Sequence, residues 1–227
     1  MTSNEHFTVD GTLIEAWASL KSLRPKDEQP SDRTPPDDPG NPSVNFHGEQ
    51  RRNATHQSTT DPEARLAKKG VGKEAKLCYT ESVLMENRNG IVIDLRVGPA
   101  AGRAEREHGL AMLQELGATR RITVAGDKGY DSAAFVAGCR ELNVTPHVAQ
   151  NERRPGGSAL DQRTTGWPGY ALSQRVRKRV EEIFGWSKTV GNFRRTRYRG
   201  VARTSFAAYL VAAAYNLLRI ARLCPTG

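Results

Sequence analysis

Three acidic residues stand where strands or a helix could present them to one site. Asp10 follows the extended stretch His6–Val9 and precedes a glycine, and Asp127 follows the apolar stretch Arg121–Ala125. Two aspartates at the ends of neighbouring strands, with a third carboxylate from a helix, would form the all-oxygen site that Mg²⁺ or Mn²⁺ prefers. An aspartate at such a position is also typical of a simple turn, and that alternative stays open.

The third carboxylate can be placed on a basic helix that the sequence predicts over Ala171–Val190. With about 100° of rotation per residue, its apolar positions form one stripe of Leu172, Val176, Val180, Ile183, Phe184 and Ser187. Glu181 lies at the edge of this stripe, whereas Glu182 is rotated toward solvent together with Lys178. A metal ligand must lie near the core, which favours Glu181. A simple salt bridge from Arg177 to Glu181, four residues apart, is the alternative.

Positive charge is concentrated around the same helix. From Arg175 to Arg203 the chain carries ten basic residues against two acidic ones, so this segment accounts for +8 of the formal net charge of +9. Such a patch is typical of a surface that contacts phosphates. Arg177 and Lys188 lie on either side of Glu181, where they could hold a phosphate. A merely solvated basic helix is the alternative.

The predicted elements alternate in a way that indicates an α/β fold. A β-prone stretch at His6–Val9 leads through Asp10 into a helix-like stretch at Leu13–Trp17. The later elements are a hairpin (Lys76–Glu86 and Gly90–Val97), a helix (Ala104–Leu116), a strand (Arg121–Ala125), a helix (Asp131–Leu142, with Asp131 as its N-cap), a strand (Val144–Ala149), a loop (Asn151–Gly169), the basic helix and an apolar helix (Ser205–Leu223). This order predicts one mixed sheet flanked by helices. It is compatible with an RNase H-like sheet, although periodicity does not select that fold over other mixed α/β folds.

A long polar segment interrupts this pattern after the first strand. Residues Arg24 to Gly72 hold seven of the twelve prolines and almost no periodic apolar residues. Such a segment buries too little surface to offset its ordering entropy. We therefore expect a flexible insertion at 24–72, without stable secondary structure, that projects from the sheet.

The composition excludes several classes of protein. Three cysteines at long, irregular intervals form no metal-binding pair, so we expect reduced thiols and a cytoplasmic location. The first ten residues are polar and show no signal peptide. The apolar run Phe206–Leu218 contains Asn216 and is too short to span a bilayer, so no membrane partner is expected.

Three segments of the chain resemble a known family. Val9–Ala16, Ala125–Asp131 and Arg177–Lys188 are similar, in this order, to the acidic motifs of bacterial insertion-sequence DDE transposases (the insertion-sequence-five branch of the four-like superfamily). The family's third motif spaces Tyr, Arg, Glu and Lys with two, three and six residues between them. The residues that match this spacing are Arg177, Glu181 and Lys188. Gln174 stands at the tyrosine position.

The resemblance implies a fold, a site and a chemistry. It implies an RNase H-like catalytic domain over 5–223, with Asp10, Asp127 and Glu181 as catalytic residues that bind two Mg²⁺ or Mn²⁺ ions. Such an enzyme cleaves DNA and transfers the cut strand to a new position, in the nucleoid. Its partners would be transposon ends and target DNA, bound as a homo-oligomer. The resemblance implies Arg177 and Lys188 as DNA-binding residues, and the basic segment adds Lys178, Arg194, Arg195 and Arg197 as candidates.

The family also gives reasons to expect a shortened protein. Its members carry a substantial domain before the first acidic motif, whereas Asp10 is only the tenth residue of this chain. We therefore expect that the usual N-terminal domain is missing, in a second reading frame of a split gene or in a decayed copy. Two other functions stay open: an inactive DNA-binding remnant that modulates a full-length transposase, and a simple nuclease that cleaves without joining strands.

Overall fold

The computed structural model describes residues 2–3, 5–27, 51–70 and 72–224. Eight strands and six α-helices lie within these ranges. The strands are β1 (His6–Glu15), β2 (Leu23–Pro25), β3 (His56–Ser58), β4 (Arg65–Lys68), β5 (Ala75–Glu86), β6 (Ile91–Pro99), β7 (Ile122–Gly126) and β8 (Val144–Val148). The helices are α1 (Ala104–Leu116), α2 (Ala133–Glu141), α3 (Gln162–Thr165), α4 (Pro168–Val176), α5 (Val180–Thr189) and α6 (Val201–Leu223).

The main sheet has the strand order β6-β5-β1-β7-β8, and β4 pairs with the first residues of β5. Strand β5 is antiparallel to both β6 and β1, whereas β7 is parallel to β1 and β8 is parallel to β7. An antiparallel meander that continues into parallel strands through crossover helices is the arrangement of an RNase H-like fold. The predicted fold class is therefore confirmed.

Helices cover both faces of this sheet, and each face has its own apolar core. Phe7 and Val9 of β1 pack with residues of α1 and α2, whereas Ile14 packs with residues of α5 and α6. Residues of opposite parity on one strand point to opposite faces, as side chains of a pleated strand must. The alternation along β1 thus decides which helices each of its side chains meets.

The predicted hairpin and the predicted helix Ala104–Leu116 are confirmed almost residue for residue. Gly90 closes the β5–β6 turn with a φ of 71°, and Gly117 ends α1 with a φ of 56°. Both residues take a left-handed conformation that glycine adopts without steric cost. The Glu86 carboxylate accepts the backbone N–H groups of Arg88 at 2.5 Å and Asn89 at 2.9 Å, which fixes the turn.

The prediction of a helix at Leu13–Trp17 is wrong, and so is the placement of Asp10 at a strand end. Strand β1 runs without interruption to Glu15, because its pairing with β5 continues from Phe7 to that residue. Asp10 therefore lies in the middle of β1. Helix propensity in this short stretch is overridden by cross-strand hydrogen bonds with residues far along the chain.

The predicted flexible insertion at 24–72 needs a correction in its described part. Strands β2 and β3 form a two-stranded sheet, and β4 joins the main sheet. Asp61 is fully buried, and its carboxylate accepts the Tyr79 hydroxyl at 2.6 and 2.7 Å. These contacts fasten 51–70 to the sheet rather than letting the segment project. Residues 28–50 and 71 of the insertion lie outside the described residues.

The single long basic helix predicted over Ala171–Val190 is divided. A 3₁₀ turn at Arg177–Arg179 separates α4 from α5, so the helical phase changes at the basic residues. Leu172, assigned to the apolar stripe, is 54% exposed, whereas Val180 is buried. The apolar stripe predicted along one long helix is therefore buried only in its second part, which is α5.

Two local predictions around α2 and the following loop are also wrong. The N-cap of α2 is Ser132, whose hydroxyl accepts the Phe135 N–H. Asp131 instead accepts the N–H groups of Asn151 at 2.7 Å and Ala159 at 2.9 Å, which ties the 151–160 loop to the sheet edge. That loop is followed by the short α3 rather than by irregular structure up to Gly169.

Helix α6 is, within the described residues, the one helix whose length and hydropathy would allow it to cross a membrane. It packs along β6, and the Asn216 side chain both donates to and accepts from the backbone of Val92, at 2.8 and 2.9 Å. Its inner face therefore belongs to the core of the α/β domain. Phe206, Leu210 and Leu217 on its outer face are more than half exposed.

Candidate metal and DNA site

The strand register brings Asp10 and Asp127 together. Thr8 of β1 pairs with Ala125 of β7 in parallel, and the two aspartates each come two residues later on their chains. Residues at equivalent positions of parallel neighbours lie on the same face and side by side. The two carboxylates thus meet at the carboxyl end of β7, just where β1 and β7 separate.

Backbone donors orient both carboxylates. Oδ1 of Asp10 accepts the Gly11 N–H at 2.8 Å, and Oδ1 of Asp127 accepts the Gly129 N–H at 2.7 Å. Asp127 thereby caps the 3₁₀ turn Lys128–Tyr130. In each aspartate the other oxygen makes no hydrogen bond within the described part of the chain, so one oxygen per residue is available to a ligand.

Asp10 is held in an environment that disfavours its negative charge. Burial raises the pKa of Asp10 to about 7, against a lowering by the Gly11 N–H. The charges of Asp127 and Glu105 raise this pKa further, while Arg177 lowers it. A divalent cation between Asp10 and Asp127 would offset both the burial and the repulsion.

The donor set suits a hard cation but is incomplete as a cage. Among the residues that the structure describes, no three His, Cys, Asp or Glu side chains lie close enough together to hold a metal ion. Asp10 and Asp127 offer free carboxylate oxygens, which are the ligands that Mg²⁺ and Mn²⁺ take. The pair fits as two ligands of such an ion, and further ligands must approach from a helix, from water or from a phosphate.

The two glutamates of α5 are placed differently. Glu181 lies exposed in the first turn, and its carboxylate forms no salt bridge with any described residue. It is not among the charges that shift the pKa of Asp10. Glu182 instead faces α6, with its carboxylate 3.8 Å from Arg219 and 4.0 Å from Arg179. Glu182 is thus occupied by cations, whereas Glu181 is available.

Arg177 lies on the same side as the aspartates and is held by its neighbour. Its Nε donates to Oε1 of Gln174 at 3.1 Å, and Nε2 of Gln174 donates to the carbonyl of His147 at 2.6 Å. Gln174, the residue at the family's tyrosine position, therefore links Arg177 to the end of β8. The charge of Arg177 lowers the pKa of Asp10, although no hydrogen bond or salt bridge joins the two side chains in the described part of the chain.

Lys188 reaches the middle of the sheet from α5. Its ammonium donates to the Thr12 hydroxyl, two residues beyond Asp10 on the same face of β1. It also lies near Glu81, which pairs with Thr12 across the strands and is 2% exposed. Burial raises the pKa of Glu81 to about 7, and the Lys188 charge lowers it. Sequence reasoning missed Glu81, which lies among both polar and apolar residues of β5.

A groove of about 730 Å³ opens beside Lys188. The cations that line it are Arg65, Lys68, Lys69 and Lys188, and Glu105 is the one acidic residue of its lining. Uncharged residues, among them Thr12, Leu13 and Leu66, complete the lining. The groove therefore combines positive charge with a position next to the carboxylate pair, as a channel for a nucleic-acid strand requires.

The other predicted DNA-binding residues do not all face this groove. Lys178 lines a second groove, of about 590 Å³, on the Arg179 side of the chain. Arg195 stacks on Trp17, with its guanidinium carbon 4.8 Å from the ring centre. Arg194 and Arg197 are exposed on the turn before α6. The predicted DNA-binding residues are therefore distributed over more than one groove and do not line a single pocket.

A family model described as transposase DDE domain matches residues 52–217, which is most of the chain. The matched region contains Asp127 and Glu181 and begins after Asp10. No curated protein sequence matches this chain.

Two solved structures resemble the chain in backbone. A cryo-EM structure of the piggyBac transposase synaptic complex with hairpin DNA is 8% identical over 97% of this chain and 47% of that chain, with a TM-score of 0.49. A cryo-EM structure of the simian T-cell lymphotropic virus intasome in complex with PP2A regulatory subunit B56 gamma is 16% identical over 73% of this chain and 56% of that chain, with a TM-score of 0.29. The chain spans about half the length of these proteins. The fold assignment rests on the strand order and not on these superpositions.

Proposed function

Because the chain belongs to the transposase DDE domain family, we propose that it catalyses metal-dependent DNA strand cleavage and strand transfer. The proposed metal ligands are Asp10, Asp127 and Glu181, and the proposed cofactor is Mg²⁺ or Mn²⁺, bound as two ions. The observation that carries this proposal is the meeting of Asp10 and Asp127 at the carboxyl end of β7.

The finer assignments rest on the sequence motifs. The spacing of Arg177, Glu181 and Lys188 supports membership of the insertion-sequence-five branch. We propose transposon ends and target DNA as partners, a homo-oligomer on DNA, and a place in the nucleoid.

The carboxylates of the site would bind the metal ions, and its cations would bind the DNA. When bound, the ions would supply a stabilised nucleophile and neutralise the leaving oxygen of the scissile phosphate. Asp10 and Asp127 bind the ions through the carboxylate oxygens that the backbone leaves free. Metal binding requires a deprotonated Asp10, so the raised pKa of Asp10 makes loading depend on pH.

The cations of the site bind the DNA backbone. Arg177, held in place by Gln174, lies where a phosphate next to the carboxylate pair would come. Lys188, held by Thr12, lies at the mouth of the basic groove. Contacts of this kind go to phosphates and carry no sequence information. The chain therefore supplies cutting and holding functions rather than recognition of a particular sequence.

A strand-transfer assay tests this proposal and separates its alternatives. The purified chain is incubated with Mg²⁺, supercoiled plasmid and a labelled duplex that ends in a free 3′-hydroxyl. We expect label to be joined covalently to the plasmid, since a transposase uses that hydroxyl as the nucleophile. Nicking without joining would instead support a simple nuclease, and DNA binding without either would support an inactive remnant.

A test variant and a matched control for this assay each replace one carboxylate by the amide of nearly the same shape, which removes one negative charge. Asp127→Asn should abolish joining because it removes a metal ligand. Glu107→Gln, on the exposed side of α1, should leave joining unchanged. Equal joining by both variants would refute the assignment of Asp127.

A further inference from the structure

A carboxylate in the middle of β5 is buried without a hydrogen-bond partner. Glu81 is 2% exposed, and its Oε2 atom makes no hydrogen bond within the described part of the chain. The residues two positions before and after it on β5, Tyr79 and Val83, belong to the apolar core under α5 and α6. Burying an ionisable group in such a place is costly unless another charge accompanies it. Packing alone therefore does not account for Glu81.

The strand register places the Lys188 side chain beside this carboxylate. Glu81 of β5 pairs directly with Thr12 of β1, and residues paired in this way point to the same face, with their Cβ atoms about 5 Å apart. The Lys188 ammonium reaches this face from α5 and donates to the Thr12 hydroxyl. The carboxylate and the ammonium are thus neighbours at Thr12. No salt bridge joins them among the described residues, so Glu81 acts on Lys188 through its charge.

Burial and neighbouring cations oppose the positive charge of Lys188. Burial lowers the pKa of Lys188, and the charges of Lys69 and Arg194 lower it further. Lys69 and Lys188 line the same groove, which agrees with this repulsion. The charge of Glu81 acts in the opposite direction and raises the Lys188 pKa. Without this carboxylate, burial and repulsion would both favour a lysine side chain that turns out toward solvent.

From these contacts, we propose that Glu81 is a positioning residue that holds the Lys188 ammonium at Thr12, where it faces a DNA phosphate. This rests on the proposed function and adds to it the group that keeps this cation in place. Thr12 lies two residues from Asp10 on the same face of β1, which corresponds to about 7 Å along the strand. Strand β1 thereby fixes the lysine relative to the aspartate that would bind metal. Glu81 is buried and does not itself touch DNA.

Acetylation of Lys188 tests this role without any DNA chemistry. The full chain and its variants are treated briefly with acetic anhydride at about pH 8.5, above the Glu81 pKa of about 7, and each lysine is followed by mass spectrometry. Lys73, which is exposed, is the internal reference. We expect Glu81→Gln to increase the relative rate at Lys188 about threefold or more, because the neutral fraction of an amine grows about tenfold for each unit by which its pKa falls.

Glu86→Gln is the matched control for this substitution. It also replaces a buried carboxylate of β5, but at the hairpin end, where that carboxylate accepts N–H groups of the turn. It should lower the thermal stability and leave the Lys188 rate unchanged. Thr12→Val, at a partly exposed position, is a second test variant in case Glu81→Gln fails to fold, and it should also increase the rate at Lys188.

A double-mutant cycle on DNA binding separates positioning from a purely structural effect. Glu81→Gln should weaken binding to duplex DNA and reduce the slope of log K against log salt by about 0.9, as Lys188→Ala does, because each variant loses one phosphate contact. Added to Lys188→Ala, it should change neither quantity further, since it acts through the lysine.

The outcomes separate this proposal from the proposed function. An unchanged Lys188 acetylation rate in folded Glu81→Gln or Thr12→Val would overturn the positioning role, and DNA joining by the wild type would still uphold the proposed function. Additive effects in the cycle, or tighter DNA binding by Glu81→Gln, would also overturn the positioning role. Lys188 acetylation and DNA binding that both depend on Glu81, in a chain that neither cuts nor joins DNA, would uphold the positioning role and refute the proposed function.

Discussion

Replacing Asp10 by asparagine should stabilise the protein at neutral pH while it removes metal binding. The Asp10 pKa of about 7 in the folded chain compares with 3.8 for the free side chain. This rise of about three units in the pKa corresponds to about 4 kcal/mol of unfavourable interaction for the ionised form of Asp10. That value is an upper bound on the effect of the charge on the free energy of unfolding. Solvent reaching the partly buried group reduces the measurable effect to about 2 kcal/mol. Asparagine has nearly the same shape, can still accept the Gly11 N–H, and carries no charge.

The sign of the effect fixes the pH window. Below pH 3.8 the aspartate is protonated in both the folded and unfolded chains, so the wild type and Asp10→Asn should have equal stability. Between 3.8 and about 7 the unfolded wild type loses its proton while the folded one keeps it, so wild-type stability falls with rising pH. Above pH 7 the advantage of the variant is complete and constant.

Urea unfolding at a series of pH values, without divalent metal, measures this difference. Mg²⁺ should then stabilise the wild type but not Asp10→Asn, by about 2.7 kcal/mol at a hundredfold excess over the dissociation constant. The exposed Glu107→Gln serves as the control and should follow the wild type throughout. A variant that is less stable than the wild type at pH 8, or that gains as much stability from Mg²⁺, would refute the reasoning.

Three further substitutions follow from the contacts. Arg177→Ala should weaken binding to all DNA sequences alike, and a binding titration should show the slope of log K against log salt reduced by about 0.9. Glu181→Gln should stop cleavage yet leave DNA binding equal or tighter, whereas Glu182→Gln should spare cleavage in a plasmid-nicking assay; the reverse result would exchange their roles. Tyr79→Phe should lower the free energy of unfolding by about 1–3 kcal/mol, since it strips the buried Asp61 carboxylate of its hydroxyl donor. An unchanged urea midpoint for Tyr79→Phe would show that Asp61 does not fasten the 51–70 segment.

The fold could be read from the sequence where local patterns dominate. The hairpin around Gly90, the helix Ala104–Leu116 and the strand before Asp127 all carry alternation, turn residues or caps that act over a few positions. The stretch Leu13–Trp17 could not be read in this way, because its strand conformation comes from pairing with β5, over sixty residues later. The same holds for β4, which has no apolar pattern of its own and becomes ordered by docking on the sheet.

The site could be predicted from the sequence only where its residues belong to recognisable local patterns. Asp10 and Asp127 could be paired as candidates because both follow apolar strands and match acidic motifs, although their contact depends on a parallel register. Glu81 could not be identified as part of the site from its local sequence, because its position beside Thr12 and Lys188 arises only once β5 has paired with β1.

The central claim is that Asp10 and Asp127 form a metal-dependent catalytic site for DNA. The most direct measurement is nicking of supercoiled plasmid by the wild-type chain and by Asp127→Asn, with Mg²⁺ and with a chelator. We predict that wild-type nicking requires Mg²⁺, is lost on chelation, and is slower by about a hundredfold or more in Asp127→Asn. Nicking by Asp127→Asn at the wild-type rate, or wild-type nicking that persists in the chelator, would contradict the account.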